Sequence, residues 1–166
     1  LALAAWWASG NTQVRFSPQR NVGWRLAIGL AGLVLLSAAG AVTALGDTLF
    51  PPETFSQGLA QDLDPTASFL IRLRVIHPLL AVLVSFFLLA SARTLQAARP
   101  EPHVRRLVRL LQAIIGLQLA GGALNVLLLA PVWMQIAHLM LADLLWLVLV
   151  VLSAELMAIP DTISRE

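Results

Sequence analysis

Two histidines lie inside long apolar runs of this chain. His77 sits in Ile71-Arg72-Leu73-Arg74-Val75-Ile76-His77-Pro78-Leu79-Leu80-Ala81, and His138 in Ile136-Ala137-His138-Leu139-Met140-Leu141-Ala142, so both begin a His-x-x-Leu-Ala pattern. An ionisable side chain at membrane depth is costly and is a functional candidate by default. A single intramembrane histidine serves equally well as a hydrogen-bond link to a neighbouring helix or as a metal ligand. Two at matched depth in a shared motif favour one common ligand.

The surrounding residues narrow the chemistry. A closed zinc site takes four protein ligands, and neither ring has a carboxylate beside it. Asp143 is five residues past His138, and Glu155 falls near the other end of that run. Haem needs only axial donors and an apolar slot, so a bis-histidine haem on His77 and His138 fits best. Gly116, Gly121 and Gly122 would make room for a macrocycle or simply let two helices approach. Arg74, three residues before His77, shares its helical face and is the candidate partner for haem propionates; the competing reading is snorkelling to lipid phosphates. Arg72 is further round the helix, and Trp133 and Gln135 suit ordinary interfacial roles. His103, beside Pro102, reads as a solvated loop residue. No nucleophile-elbow, P-loop or dinucleotide fingerprint occurs.

Those side chains need a membrane scaffold. The 166 residues are 58% hydrophobic and 12% charged, with mean hydropathy +0.81 and a net charge of only +2, which excludes an ordinary soluble domain. The arginines cluster at run ends rather than on one face, so a nucleic-acid partner is not expected. The absence of cysteine removes disulfides, thiolate metal sites and cysteine nucleophiles from this stretch.

Four spans are expected, at residues 24–45, 69–92, 107–129 and 132–158, within a bundle covering 24–158. Residues 1–8 (LALAAWWA) are too short to cross alone and read as the end of a preceding transmembrane helix. Basic segments 9–23 and 93–109 are predicted to be cytoplasmic, as is the tail 159–166, while the acidic loop 46–68 lies outside. Arg72 and Arg74 break this pattern at an outer helix end. The predicted fold is all-α, a polytopic up-down four-helix membrane bundle in a cell (inner) membrane.

An internal echo divides the bundle into two similar helix pairs. Gly40-Ala41-Val42-Thr43 resembles Gly122-Ala123-Leu124-Asn125, and the two histidine motifs follow in the same order. Equal orientation relates the pairs by a pseudo-twofold axis along the membrane normal. The second and fourth spans are then diagonal, and at 1.5 Å per residue both histidines lie roughly 10–12 Å below the outer surface.

The ordered combination of Gly40-Ala-Val-Thr, Leu49-Phe50-Pro51-Pro52, Pro65-Thr66-Ala67, Ile71 to His77-Pro78, and Asn125 to Pro131 running through Gln135-Ile-Ala-His138 to Asp143-Leu-Leu-Trp146 resembles the heme A synthase family over nearly the whole chain. Members typically have two similar four-helix halves, each with a histidine pair, and this chain looks like the C-terminal half. The resemblance implies oxidation of the C8 methyl of heme O to the formyl group of heme A. It implies heme b on His77 and His138 as cofactor, with the substrate and a catalytic glutamate in the other half. Arg74 occupies the position equivalent to that glutamate, so this half lacks the carboxylate. Heme O synthase and an electron donor are the implied partners besides membrane lipid, and a homo-oligomer is compatible with relatives built as single halves. The alternatives are a four-helix b-type cytochrome that only passes electrons, and a haem-free scaffold whose histidines bridge helices.

Overall fold

The computed structural model describes residues 20–157 together with Ala4 and Ala8, both helical. The readings of residues 1–8, apart from those two positions, of 9–19 and of 158–166 lie outside the described residues. Six helices follow in order: α1 (Arg20–Leu49), α2 (Phe55–Leu63), α3 (Phe69–Leu73), α4 (Ile76–Ala98), α5 (Pro102–Leu127) and α6 (Val132–Met157). Four segments are long and apolar enough to cross a membrane: α1, α3 with α4, α5 and α6. Among the described residues there is no strand, and the fold is the expected polytopic helical bundle.

The helices extend beyond the apolar windows. α1 begins at Arg20 rather than Trp24, and α4 continues to Ala98. Arg, Gln and Ala in Arg93-Thr-Leu-Gln-Ala-Ala98 are good helix formers and need no apolar environment to continue the turn pattern. Pro100 and Pro102 end this run, and Pro102 opens α5 where a missing N–H costs nothing. The connection expected over 93–109 therefore shrinks to Arg99–Glu101.

The loop 46–68 also acquires structure. Thr54 caps α2 by accepting a bond from the Gln57 amide at 3.2 Å, and the Gln57 side chain accepts from the Glu53 amide at 2.8 Å. Asp64 ends α2; its carboxylate accepts from the Thr66 amide (2.8 Å) and hydroxyl (2.7 Å), which holds its pKa below the ordinary value. At the α5–α6 turn, Leu129 (φ 61°) and Ala130 (φ 52°) both occupy the left-handed region, at about 1–2 kcal/mol each for L-residues. Bonds from the Ala130 amide to the Asn125 carbonyl (2.8 Å) and from Gln135 Nε2 to the Ala130 carbonyl (2.6 Å) hold this turn.

Around the bundle, α1 packs on α4 and α6, and α5 packs on α4 and α6, leaving α4 and α6 diagonal. The apolar core occupies one end of the bundle: Leu26 and Leu33 of α1, Leu88 and Leu95 of α4, Val104 to Ile115 of α5, and Leu145 to Leu156 of α6. Among the described residues, the other end, which carries the histidines, has only Ile71 and Met134 as buried apolar side chains. Close packing is thus confined to the end at which α4 finishes and α5 starts.

Candidate functional site

His77 enters the site from α4 and His138 from α6. Their ring centroids are 6.5 Å apart, with planes at 79°. Two metal–imidazole bonds of about 2 Å each, plus the half-widths of the rings, place the centroids of two axial imidazoles about 6 Å apart. The observed pair falls in that range. Both Nδ1 atoms are buried without a hydrogen-bond partner, the kind of unfinished valence that a ligand or water satisfies.

Each ring lies against a glycine on the preceding long helix. A Cβ on Gly40 would come within 3.0 Å of His77 Cε1, and one on Gly122 within 3.3 Å of His138 Cε1. A side chain at either position would press on the ring, which would have to give by a few tenths of an ångström. This repeats the echo seen in the sequence: α1 supports α4 as α5 supports α6. Gly121 also borders His138, whereas Gly116 faces open space and takes no part in the site. Of the three glycines expected to make room for a macrocycle, Gly116 is therefore reassigned. Its place on α5 turns it away from the axis.

Sequence reasoning missed Gln118. Its Nε2 lies 3.3 Å from His138 Nε2, so it holds the ring from one turn below Gly122, and its Oε1 is buried without a partner. The corresponding position of the first pair is Leu36, whose carbonyl faces the His77 ring as an acceptor. A polar residue four positions before the echoed glycine was the available signal. One turn on the other side, Thr43 Oγ1 and Asn125 Oδ1 are also buried and unpartnered. The histidine layer is therefore flanked by hydrogen-bonding atoms in the sparsely packed end of the bundle.

Arg74 has protein partners of its own. Pro78 has no N–H for the Arg74 carbonyl four residues earlier, so one helical hydrogen bond is missing where α3 passes into α4. Arg74 (φ −56°, ψ −35°) and Val75 (φ −68°, ψ −28°) keep helical dihedrals, so the span runs on through this junction. The buried guanidinium (7% exposed) turns to protein oxygens: Nε to Asp47 at 3.0 Å, Nη1 to Asp62 at 3.6 Å, and Nη2 to the Gly46 and Phe50 carbonyls at 2.7 Å each. It joins the end of α1 to α2 and to the start of the second span. Burial raises the Asp62 pKa above its ordinary value, against the opposing pull of Arg74. Asp47 and Asp62 were read in the sequence only as loop charge.

Arg72 is exposed, as are Trp133 and Ile136. At the far end His103 is not a free loop residue: its Nε2 lies 3.1 Å from Glu155 and 3.5 Å from Glu101, tying the start of α5 to α6. No cluster of three or more His, Cys, Asp or Glu side chains suited to a metal occurs among the described residues, so the imidazole pair is the candidate donor set.

Comparisons with known proteins agree with this architecture. The profile of the cytochrome oxidase assembly protein family, COX15-CtaA, matches residues 1–150. Two curated proteins, both named protoheme IX farnesyltransferase and from two strains of Thermus thermophilus, are each 48% identical over 153 residues, covering 92% of this chain. The chain spans about a quarter of the length of these curated relatives, 25% in each case. No solved structure matches it significantly. With its profile match over almost the full length and its paired four-helix design, the chain belongs to the COX15-CtaA family of cytochrome oxidase assembly proteins, the heme A synthase family.

Proposed function

We propose that this chain is the b-type-haem-binding, C-terminal half of a heme A synthase. In this reading it serves an oxidoreductase that converts the C8 methyl of heme O to a formyl group. The observation that carries the proposal is the facing pair His77 and His138, with centroids 6.5 Å apart on diagonal helices. The fit is supported by the two glycine-backed rings, their orphaned nitrogens and the sparse packing at that end of the bundle. His77 and His138 would hold the iron, and a bound haem would supply one-electron redox chemistry. Gln118 would give up its contact with His138 Nε2 if that nitrogen becomes the ligand. A haem carboxylate at the Arg74 end would compete for the guanidinium with Asp62, whose 3.6 Å contact is the longer of the two ion pairs.

The chain's own residues favour a cofactor site over a hydroxylation site. Arg74 stands where a catalytic carboxylate would be expected, and no other carboxylate adjoins either ring. The substrate is accordingly assigned to another four-helix half. The farnesyltransferase name of the Thermus relatives supports a close working link with the enzyme that makes heme O. The basic ends at 20–25 and 99–109 are assigned to the cytoplasmic side of the cell membrane.

The test is spectroscopic. Protein purified after expression with adequate haem should show a bis-histidine Soret spectrum, and His77→Ala and His138→Ala should each change the axial ligation. No bound haem, or spectra unaffected by both substitutions, rejects the assignment. Conversion of heme O to heme A by the full-length enzyme separates the synthase from an electron-passing b-type cytochrome.

A further inference from the structure

Asp143 has no role in the haem reading, and its placement is anomalous. It lies eleven residues after the start of α6 and fourteen before the end, roughly 16 and 21 Å from the two ends at 1.5 Å per residue. That is near the middle of a hydrocarbon layer about 30 Å thick. Leu141 and Leu145, two residues to either side, are about 200° away on the helix. Leu145 is buried against the bundle, while Asp143 is exposed. Met140 (63% exposed), Leu139 (62%) and Leu147 (43%) surround it on the outward face. Among the described residues it makes no ion pair or hydrogen bond.

An unpartnered carboxyl group facing acyl chains at mid-depth is strongly disfavoured, and such groups nearly always face protein. We infer that the Leu139–Asp143–Leu147 face of α6 is a helix-docking surface. Its occupant is a transmembrane helix that presents a basic side chain at the depth of Asp143. The chemistry excludes a second copy of this chain as that occupant. The chain has no lysine, and its described arginines lie at helix ends or in their flanking turns. A symmetric pair through this face would instead oppose one Asp143 to another. Further polypeptide is available in the Thermus relatives, where three-quarters of the length lies outside the matched region. Haem ligation plays no part in this face.

The test uses the full-length protein in its native membrane, with a photo-crosslinking residue at Leu139 or Leu147 and a control at the exposed Phe86 of α4. The expected result is one adduct specific to the α6 positions, whose sequenced peptide is an apolar helix containing Arg or Lys. Its yield should fall about tenfold in Asp143→Leu, persist in Asp143→Glu, and fall equally when the basic residue opposite is neutralised. Thermal unfolding of Asp143→Leu serves as the control that the bundle itself is intact. Adducts with lipid alone, with a second copy of this chain, or with a helix lacking a basic residue would overturn the inference. So would a yield indifferent to Asp143→Leu. Haem spectra measured on the same samples report separately on the proposed function.

Discussion

Replacing Arg74 by Met separates two roles for this arginine. The side chain is 7% exposed and meets two carboxylates and two backbone carbonyls, with Asp47 and Asp62 themselves only 23% and 24% exposed. Removing one partner of a buried ion pair costs about 3–5 kcal/mol, because the remaining charge loses its compensation. Water can reach the loop side of this cluster, so the low end, about 3 kcal/mol, is the appropriate expectation. For a chain of this size that corresponds to a loss of roughly 6–12 °C in Tm, readable by thermal unfolding in mild detergent.

The deficit should also depend on pH. Burial already raises the Asp62 pKa, so its favourable contribution is present at low pH and lost as pH rises through the folded-state value. Without Arg74 the opposing pull disappears and the pKa rises further. The gap between wild type and Arg74→Met should therefore narrow on acidification. Arg74→Lys keeps the charge but cannot reproduce the forked contacts and should fall between the two. An unchanged Tm in Arg74→Met would refute the ion-cluster argument. Haem loss with unchanged stability would instead make Arg74 a direct partner of the cofactor carboxylate.

Three further outcomes follow from the site. Gly40→Ala should displace His77, weaken haem retention and alter the Soret band, since the new methyl would lie 3.0 Å from the ring; Gly116→Ala, which meets nothing within 4 Å, should leave the spectrum intact and stabilise the helix by about 0.5–1 kcal/mol, as checked by thermal unfolding. Thr43→Val combined with Asn125→Leu removes two unpartnered buried oxygens next to the histidine layer; a shifted midpoint potential or faster haem loss is expected, and identical redox titrations would show that neither residue meets the cofactor. Pro78→Ala supplies an amide for the Arg74 carbonyl where Arg74 and Val75 already have helical dihedrals; it should raise Tm with the Arg74 cluster intact, and a lower Tm would show that the junction depends on the proline.

The bundle was legible in the sequence because membrane spans obey a local rule. Each must be long, apolar and internally hydrogen-bonded, whatever surrounds it. The histidine pair was legible for a related reason: ionisable residues are rare at that depth, and the Gly-x-x-(Thr/Asn) and His-x-x-Leu-Ala echoes showed which helices correspond. Helix ends were less visible, since Arg93 to Ala98 continue α4 on propensity after hydropathy has stopped.

Only the tertiary structure decided what the side chains meet. Arg74 and His77 are three residues apart, yet the arginine meets Asp47 and Asp62, distant in sequence and brought near by the end of α1 and by α2. Gly40 and Gly122 acquire their roles from rings on other helices, whereas Gly116, identical in type, faces outward. Gln118 became a site residue only when α5 packed on α6. Residue type and depth determine what a side chain can do, but its partner depends on rotation about the helix axis and on which helix stands opposite.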